Sequence, residues 1–424
     1  MREMKNSGIE WIGDIPSDWK ILRTKNFYSN HKHIVGDEAE NYERLALTLG
    51  GVIKRPKDDS TGLQPEAFEG YQILRENELV FKLIDLENVS TSRIGYSQYT
   101  GIVSPAYIVL SPKTAYESKF GEYYFLSMWQ REIFNYMGDD GVRSSLNSKD
   151  LLNIPYPSFS LEKKKKIADF LDEKCAEIDT VIEKTKATIE EYKKLKQSVI
   201  TQAVTKGIRP NRPMKDSGIE WIGKIPAEWD LRAIKTSFSV YAGATPQSEV
   251  SEFWDGDIRW ITPADYKTED KFVEIGRRQI TLQGYNSCGT NLVPAGSIVF
   301  SKRAPIGSVA ICKTELCTNQ GCLSCVPKQR LNIEYFYFIL SVLTEIFNLF
   351  GSGTTFKEIS YDSFVNFRLP YPTIEEQNEI ADYLDKKCSE IDELIAKKTS
   401  LLSELESYKK SLIYEYVTGK KEVK

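Results

Sequence analysis

The chain contains the same frame twice. MKNSGIEWIGDIPSDW starts at Met4 and MKDSGIEWIGKIPAEW at Met214, an offset of 210. IADFLDEKCAEIDTVIEK starts at Ile167 and IADYLDKKCSEIDELIAK at Ile380, an offset of 213. Each of the second pair follows the same extended tripeptide, Pro155-Tyr156-Pro157 or Pro370-Tyr371-Pro372. A lead-in segment, a block of unlike sequence and a helix are thus written in order, then written again. Such self-similarity outranks local propensity in deciding architecture.

The two later segments carry a heptad seam. Leu171, Cys175, Ile178, Ile182, Thr185, Ile189, Tyr192, Leu195 and Val199 advance by alternating steps of four and three. Leu384, Cys388, Ile391, Ile395, Lys398, Leu402, Leu405, Tyr408 and Leu412 do the same. Charged residues surround both seams, and neither Gly nor Pro interrupts them, which predicts two helices that pair as a coiled coil. Each would run about 40 residues, on the order of 60 Å at 1.5 Å per residue. If a pseudo-dyad relates the halves, the helices run antiparallel.

Between the repeats, Lys20–Asn153 and Asp230–Arg368 share little sequence. Both are rich in Gly, Pro, Thr, Tyr and Val, and runs such as GIVSPAYIVL from Gly101 and LVPAGSIVFSKRAPIGSVAIC from Leu292 read as strands. Each block also predicts one helix near its end, EYYFLSMWQREIFNYM from Glu122 and IEYFYFILSVLTEIFNLF from Ile333. The expected class is α+β: two mixed α/β globules separated by an antiparallel coiled coil, with a pseudo-two-fold repeat. The expected boundaries are 1–157 for the first globule, 158–207 for the first helix, 208–372 for the link KGIRPNRP and second globule, and 373–424 for the second helix.

The chemistry-bearing residues argue against an enzyme. The only histidines are His31 and His33, in NHKH, so no His-Glu-x-x-His site exists and no metal is expected. There is no GxxxxGK[ST] phosphate loop. Asn153-Ile154-Pro155-Tyr156 is similar to the Asn-Pro-Pro-Tyr motif of adenine methyltransferases. Its duplicate begins with Arg368, so both read as strand-to-helix junctions. Cys312, Cys317, Cys322 and Cys325 include one CxxC spacing but lie among strand-like Val, Ile and Leu; small buried side chains are the expectation. Seven cysteines, an odd number, fit a reducing compartment. With no apolar run long enough to span a bilayer and no secretory signal, the expected location is the cytoplasm, away from membranes. A net charge of −4 speaks against a strongly basic DNA-binding module, and suggests that the chain alone binds DNA weakly.

SGIEWIGxIPxxW, IPYP/LPYP, IADxLDxKCxEID and AVTKG/YVTGK resemble the specificity subunits of type I restriction–modification enzymes. Within the blocks, so do Gly50-Gly51-Val52-Ile53-Lys54-Arg55, Gly141-Val142-Arg143, the stretch Ser301–Gly307, Thr318-Asn319-Gln320-Gly321 and the stretch Gly351–Lys357. The resemblance implies two target-recognition domains, each reading half of a bipartite, asymmetric site on double-stranded DNA. It implies an antiparallel coiled coil that spaces them and docks two methyltransferase subunits, with restriction subunits joining in some assemblies. It also implies that this non-catalytic chain binds no cofactor: S-adenosylmethionine, and with a motor subunit ATP and Mg2+, would sit on the partners. One departure is that LEKKKKIA opens the first helix where IEEQNEIA opens the second, so only the second keeps Gln377. The two helix starts are therefore expected to meet their partners unequally.

Phosphates call for Lys and Arg, and base edges for Arg, Lys, Asn, Gln or Thr. The candidates are Lys54, Arg55, Lys82, Arg93, Arg143 and Ser144 in the first block. In the second they are Lys302, Arg303, Asn319, Gln320, Thr354 and Lys357. All lie in Gly- or Ser-rich turns, and each also fits an ordinary solvated charge or amide. The run Lys163–Lys166 reads as a solvated or partner-facing surface. A second function stays open: a protein-interaction scaffold, or a degenerate or decoy specificity subunit without productive DNA reading.

Overall fold

The computed structural model describes residues 2–59, 66–84, 93–114, 116–137, 145–303, 306–344, 346–347 and 358–423. They form two compact units, residues 1–186 with 400–424, and residues 187–399.

In the first unit, Met4–Asn6 and Asp14–Pro16 form an antiparallel hairpin, and Lys20–Arg23 pairs with Pro155–Ser158. A four-stranded antiparallel sheet has the order Tyr28–Ser29, Ile108–Pro112, Leu79–Phe81, Ile94–Tyr96. The helix Glu117–Gln130 covers it, placing Phe120 and Phe125 against Phe81, Tyr28 and Tyr156. It starts five residues earlier than the apolar pattern predicts. It ends where Glu132 takes a left-handed φ of 59°, and Ile133–Tyr136 is a separate 3-10 turn.

The second unit repeats the hairpin as Met214–Asp216 with Lys224–Pro226, and the junction strand as Asp230–Ala233 with Arg368–Tyr371. Its five-stranded sheet has the order Phe238–Ala242, Cys322–Pro327, Ile298–Ser301, Val309–Cys312, Phe272–Val273. A three-stranded sheet sets Trp254–Ile261 between Arg278–Ile280 and Cys317–Thr318. The helix Ile333–Ser341 stops at Val342, well short of the apolar run. Strands and helices mix in both units, giving the α+β class. Cys312, Cys317, Cys322 and Cys325 are free and buried in the sheets, and burial pushes the first three thiols up to about 12. No helix among the described residues is long and apolar enough to cross a membrane.

The two long helices are Leu161–Lys206 and Ile374–Val417, and each unit holds part of both. In the first unit the Phe170 ring lies 4.5 Å from that of Tyr416, and Lys409 binds Asp179 at 2.6 Å. In the second, Lys196 binds Asp392 at 2.7 Å and Arg209 binds Glu379 at 2.8 Å. Numbers rise on one strand of contacts as they fall on the other, so the pairing within each unit is antiparallel. Leu171, Cys175, Ile178, Ile182, Ile189, Leu384, Cys388 and Ile391 are buried, and Ile395 and Leu402 half-buried. Toward the helix ends the heptad fails: Leu195 and Tyr408 are 49% and 54% exposed. On the first helix the buried track passes to Ile200, Ala203 and Val204; on the second, the seam residue Leu412 is buried again and Ile413 and Val417 join it. There the helices meet globule surfaces rather than only each other.

Both long helices end on a left-handed glycine, Gly207 at φ +72° and Gly419 at φ +73°. The missing Cβ leaves room for a lead-in tryptophan, Trp229 beside Gly207 and Trp19 beside Gly419. Around Trp229, Arg212 bridges Glu376 and Glu228, and the indole Nε1 donates to Glu376 at 2.8 Å. Around Trp19, Arg2 and Lys163 share Asp18 at 2.8 and 2.7 Å. Lys163 stands where the other half has Glu376, so the buried Trp19 Nε1 has no acceptor. Lys163→Glu should supply one and stabilise the first unit by about 1 kcal/mol; a urea midpoint unchanged or lowered would contradict this.

The lysine run is not one solvated surface. Lys163, Lys165 and Lys166 make exposed pairs with Asp18, Asp169 and Glu162. Lys164 is 1% exposed, ion-paired to the equally buried Glu117, with the rings of Phe27, Tyr156, Phe120 and Phe159 within 5.5 Å. Gln377, its counterpart, is buried too; its Oε1 accepts from the Asn332 backbone N–H at 3.1 Å and its Nε2 donates to the Pro372 carbonyl at 3.0 Å. Both side chains tie a long helix to the start of its globule's core helix. Neither side chain is exposed.

On that core helix, Glu122 is shielded against Tyr96, and desolvation pushes its carboxyl up to about 7 although the Tyr96 N–H donates to it at 3.0 Å. The folded state therefore favours the neutral acid. This contribution to stability is full below pH 4.5 and disappears as pH rises through 7. Glu122→Gln should flatten that slope in pH-dependent urea unfolding of the first unit.

Candidate nucleic-acid interface

In the first unit the turn Leu45–Thr48/Gly51–Lys54 carries Lys54 and Arg55. Lys54 is exposed, binds Glu43 at 2.5 Å, and lies 5.3 Å from the Tyr99 ring; the bond to Glu43 raises its ammonium above the usual value. Arg55 binds Asp59 at 2.7 Å. Lys82 and Arg93 face one another across the strands Leu79–Phe81 and Ile94–Tyr96, where the Lys82 N–H donates to the Arg93 carbonyl at 3.0 Å. Arg93 is a correction. Its side chain is 0% exposed and its guanidinium donates to the Ile84 and Lys82 carbonyls at 2.8 and 3.4 Å, so it ties down the end of the strand Leu79–Phe81 from inside. Arg143 and Ser144 lie outside the described residues, as do Thr354 and Lys357 in the second unit.

In the second unit three of the sequence candidates converge with Gln320. The Lys302 N–H donates to the Gly321 carbonyl at 2.9 Å, which joins the Ser301 strand end to the Asn319–Gly321 turn. Lys302 and Arg303 share Glu358, at 2.7 and 2.9 Å. Burial works against the Glu358 charge, but the hydrogen bonds from Lys302 and Arg303 prevail and hold its carboxyl below the usual range. Asn319 is committed to the turn, since its Oδ1 accepts from the Gly321 N–H at 2.9 Å. Gln320 is exposed at the tip, joined to the hydroxyl of Thr245.

The sequence reading missed Thr245, Glu358 and the bracing loop 262–265. Thr262 and Asp265 cap each other there, and Arg277 reaches back to Asp265 at 3.7 Å. Sequence periodicity cannot show these, because the loops meet only through the sheets. The Gly-Ala-Thr-Pro stretch at Gly243 was the one local signal, a turn next to a strand. Chemically, Lys54, Arg55, Lys302 and Arg303 are cations held by exposed or half-buried carboxylates. Such pairs are worth about 0–1 kcal/mol each, so a phosphate can exchange with the carboxylate. Gln320 presents an amide that can bond a base edge.

Residues 226–404 match the family described as type I restriction modification DNA specificity domain. The MjaX protein of Methanocaldococcus jannaschii, named a putative type I specificity subunit, is 26% identical over 393 residues, 87% of each chain. These matches indicate a type I specificity subunit. A second specificity subunit of that archaeon, MjaIX, is 40% identical over 166 residues, an alignment spanning 38% of each chain. The EcoR124I/EcoR124II specificity subunit of Escherichia coli is 28% identical over 181 residues, 41% of each. Two solved structures share the fold. A chain from a study of assembly and conformational transition of the type I R-M system aligns with TM-score 0.74 and 16% identity, covering 95% of this chain and 98% of that one. The HsdS subunit of Thermoanaerobacter tengcongensis aligns with TM-score 0.51 and 15% identity, covering 96% and 98%.

Proposed function

We propose that this chain selects the DNA target of a type I restriction–modification complex and performs no chemical step itself. Each unit reads one half of a bipartite, asymmetric site, and the paired long helices set the gap between halves and dock two methyltransferase subunits. The observation that carries this is one frame written twice around unlike loops: the same hairpin, junction strand and helix start recur at both lead-ins. The turn bearing Lys54 and Arg55 has no sequence counterpart in the turns bearing Lys302, Arg303 and Gln320. A shared frame with different reading loops suits half-sites of different sequence, which dimeric readers place about 34 Å apart on one face of the duplex. S-adenosylmethionine, and ATP with Mg2+ where a restriction subunit joins, belong to the partners.

Genome-wide mapping of methylated adenine, in cells with and without this chain beside its methyltransferase, tests the proposal. A split motif with two unlike halves, present only with the chain, is expected. An unchanged methylation pattern would refute it. A second reading, a scaffold or decoy whose heads hold no DNA, draws on Glu43, Asp59 and Glu358 already occupying the candidate cations. That reading requires Lys54→Ala with Arg55→Ala, or Lys302→Ala with Arg303→Ala, to leave the salt dependence of DNA binding by the assembled complex unchanged, whereas phosphate contacts by these cations make the slope shallower in the variants.

A further inference from the structure

Gln320 stands on a turn that has almost no freedom to move. The Asn319 N–H donates to the Ile261 carbonyl at 2.9 Å and the Cys322 N–H to the Asn319 carbonyl at 3.1 Å. The Thr318 carbonyl accepts from both the Ala244 N–H, at 2.9 Å, and the Thr290 hydroxyl, at 2.8 Å. Gly243 lies against the same turn so closely that an added Cβ would overlap the Thr318 and Asn319 carbonyl oxygens. The Ala244 carbonyl in turn accepts from the Trp260 indole at 3.0 Å. Thr245 is therefore fixed next to Gln320, and its hydroxyl donates to Gln320 Oε1.

We propose that Thr245 is a positioning residue that sets which base Gln320 accepts; this rests on the DNA-reading function above. A glutamine recognises adenine in the major groove with both ends of its amide, accepting from N6 and donating to N7. The bond from Thr245 occupies one lone pair of Oε1 and fixes the rotation of the amide, so Nε2, which can only donate, is the end offered to a base. It suits O6 and N7 of guanine or O4 of thymine, and it lacks the acceptor that adenine N6 or cytosine N4 requires. The immobile turn makes this selective, because the amide cannot re-aim without breaking the Thr245 bond.

The test is adenine-methylation mapping with the assembled methyltransferase complex, comparing wild type, Thr245→Val, Thr245→Ser, Gln320→Ala and the double Thr245→Val/Gln320→Ala variant. Gln320→Ala should flatten preference at one position of one half-site, and wild type should have guanine or thymine there. Thr245→Val frees the amide and should raise methylation of sites with adenine at that position about tenfold or more, leaving the other half-site unchanged. Thr245→Ser should keep the wild-type profile, and the double variant should match Gln320→Ala. Adenine or cytosine at that position in wild type overturns the proposal. So does a Thr245→Val profile identical to wild type, an effect that persists in the Gln320→Ala background, or an altered Thr245→Ser profile. If Thr245→Val abolishes methylation altogether, the wild-type base and the Thr245→Ser and Gln320→Ala profiles still decide. A wild-type complex that methylates no split motif would instead refute the DNA-reading function itself.

Discussion

Lys164→Ala is expected to destabilise the first unit by about 3–5 kcal/mol, the usual cost of leaving half of a buried ion pair. Desolvation pulls the Lys164 ammonium below its usual range, and the Glu117 carboxylate opposes that pull. The surrounding rings of Phe27, Tyr156, Phe120 and Phe159 supply no other counter-charge. Truncation leaves Glu117 charged and buried at the start of the core helix, where its backbone carbonyl also accepts from Tyr28 at 2.9 Å. Lys164→Met with Glu117→Gln should recover most of the loss, because neither residual group is then charged. Hydrogen exchange at Leu79–Phe81, the centre of the sheet under that helix, reports the change. A loss below about 1 kcal/mol for Lys164→Ala would show that water reaches the pair.

Glu376→Ala should cost the second unit about 3 kcal/mol, whereas Lys163→Ala at the corresponding place should cost less than about 1 kcal/mol. Glu376 is 3% exposed and takes hydrogen bonds from both Arg212 and the Trp229 indole. Removing it strands a guanidinium that is only 8% exposed, with the outward-facing Glu228 as its remaining partner. Lys163 and Asp18 are each nearly half exposed, so their pair is screened by water. Urea unfolding followed by hydrogen exchange in the two lead-in hairpins separates these effects. Equal losses at the two places would contradict the burial difference.

The frame of the fold was legible because repetition and heptads are local or periodic signals. The two long helices, the junction strands and the seam from Leu171 to Ile189 follow from spacing alone. The buried lysine was legible in principle: Lys164, Leu171, Ile178 and Thr185 are spaced by seven, and all are buried. Extending the heptad one turn back would have found it, but a run of four lysines reads as solvated. Gln377, Leu384 and Ile391 repeat that lesson in the second half. The globules resisted such reading because their strands are short and pair across long gaps, as with Lys20–Arg23 and Pro155–Ser158. For the same reason Arg93 could not be told from a surface arginine, and Thr245 could not be placed beside Gln320, 75 residues away.

The most direct test of two independent reading units is a crossed set of methylation maps from the assembled complex. One variant carries Lys54→Ala and Arg55→Ala, the other Lys302→Ala and Gln320→Ala. Each pair is expected to weaken or relax one half of the split motif, a different half for each, with the gap length unchanged. If both pairs altered the same positions, or neither altered any, the chain would not read DNA through two separate units.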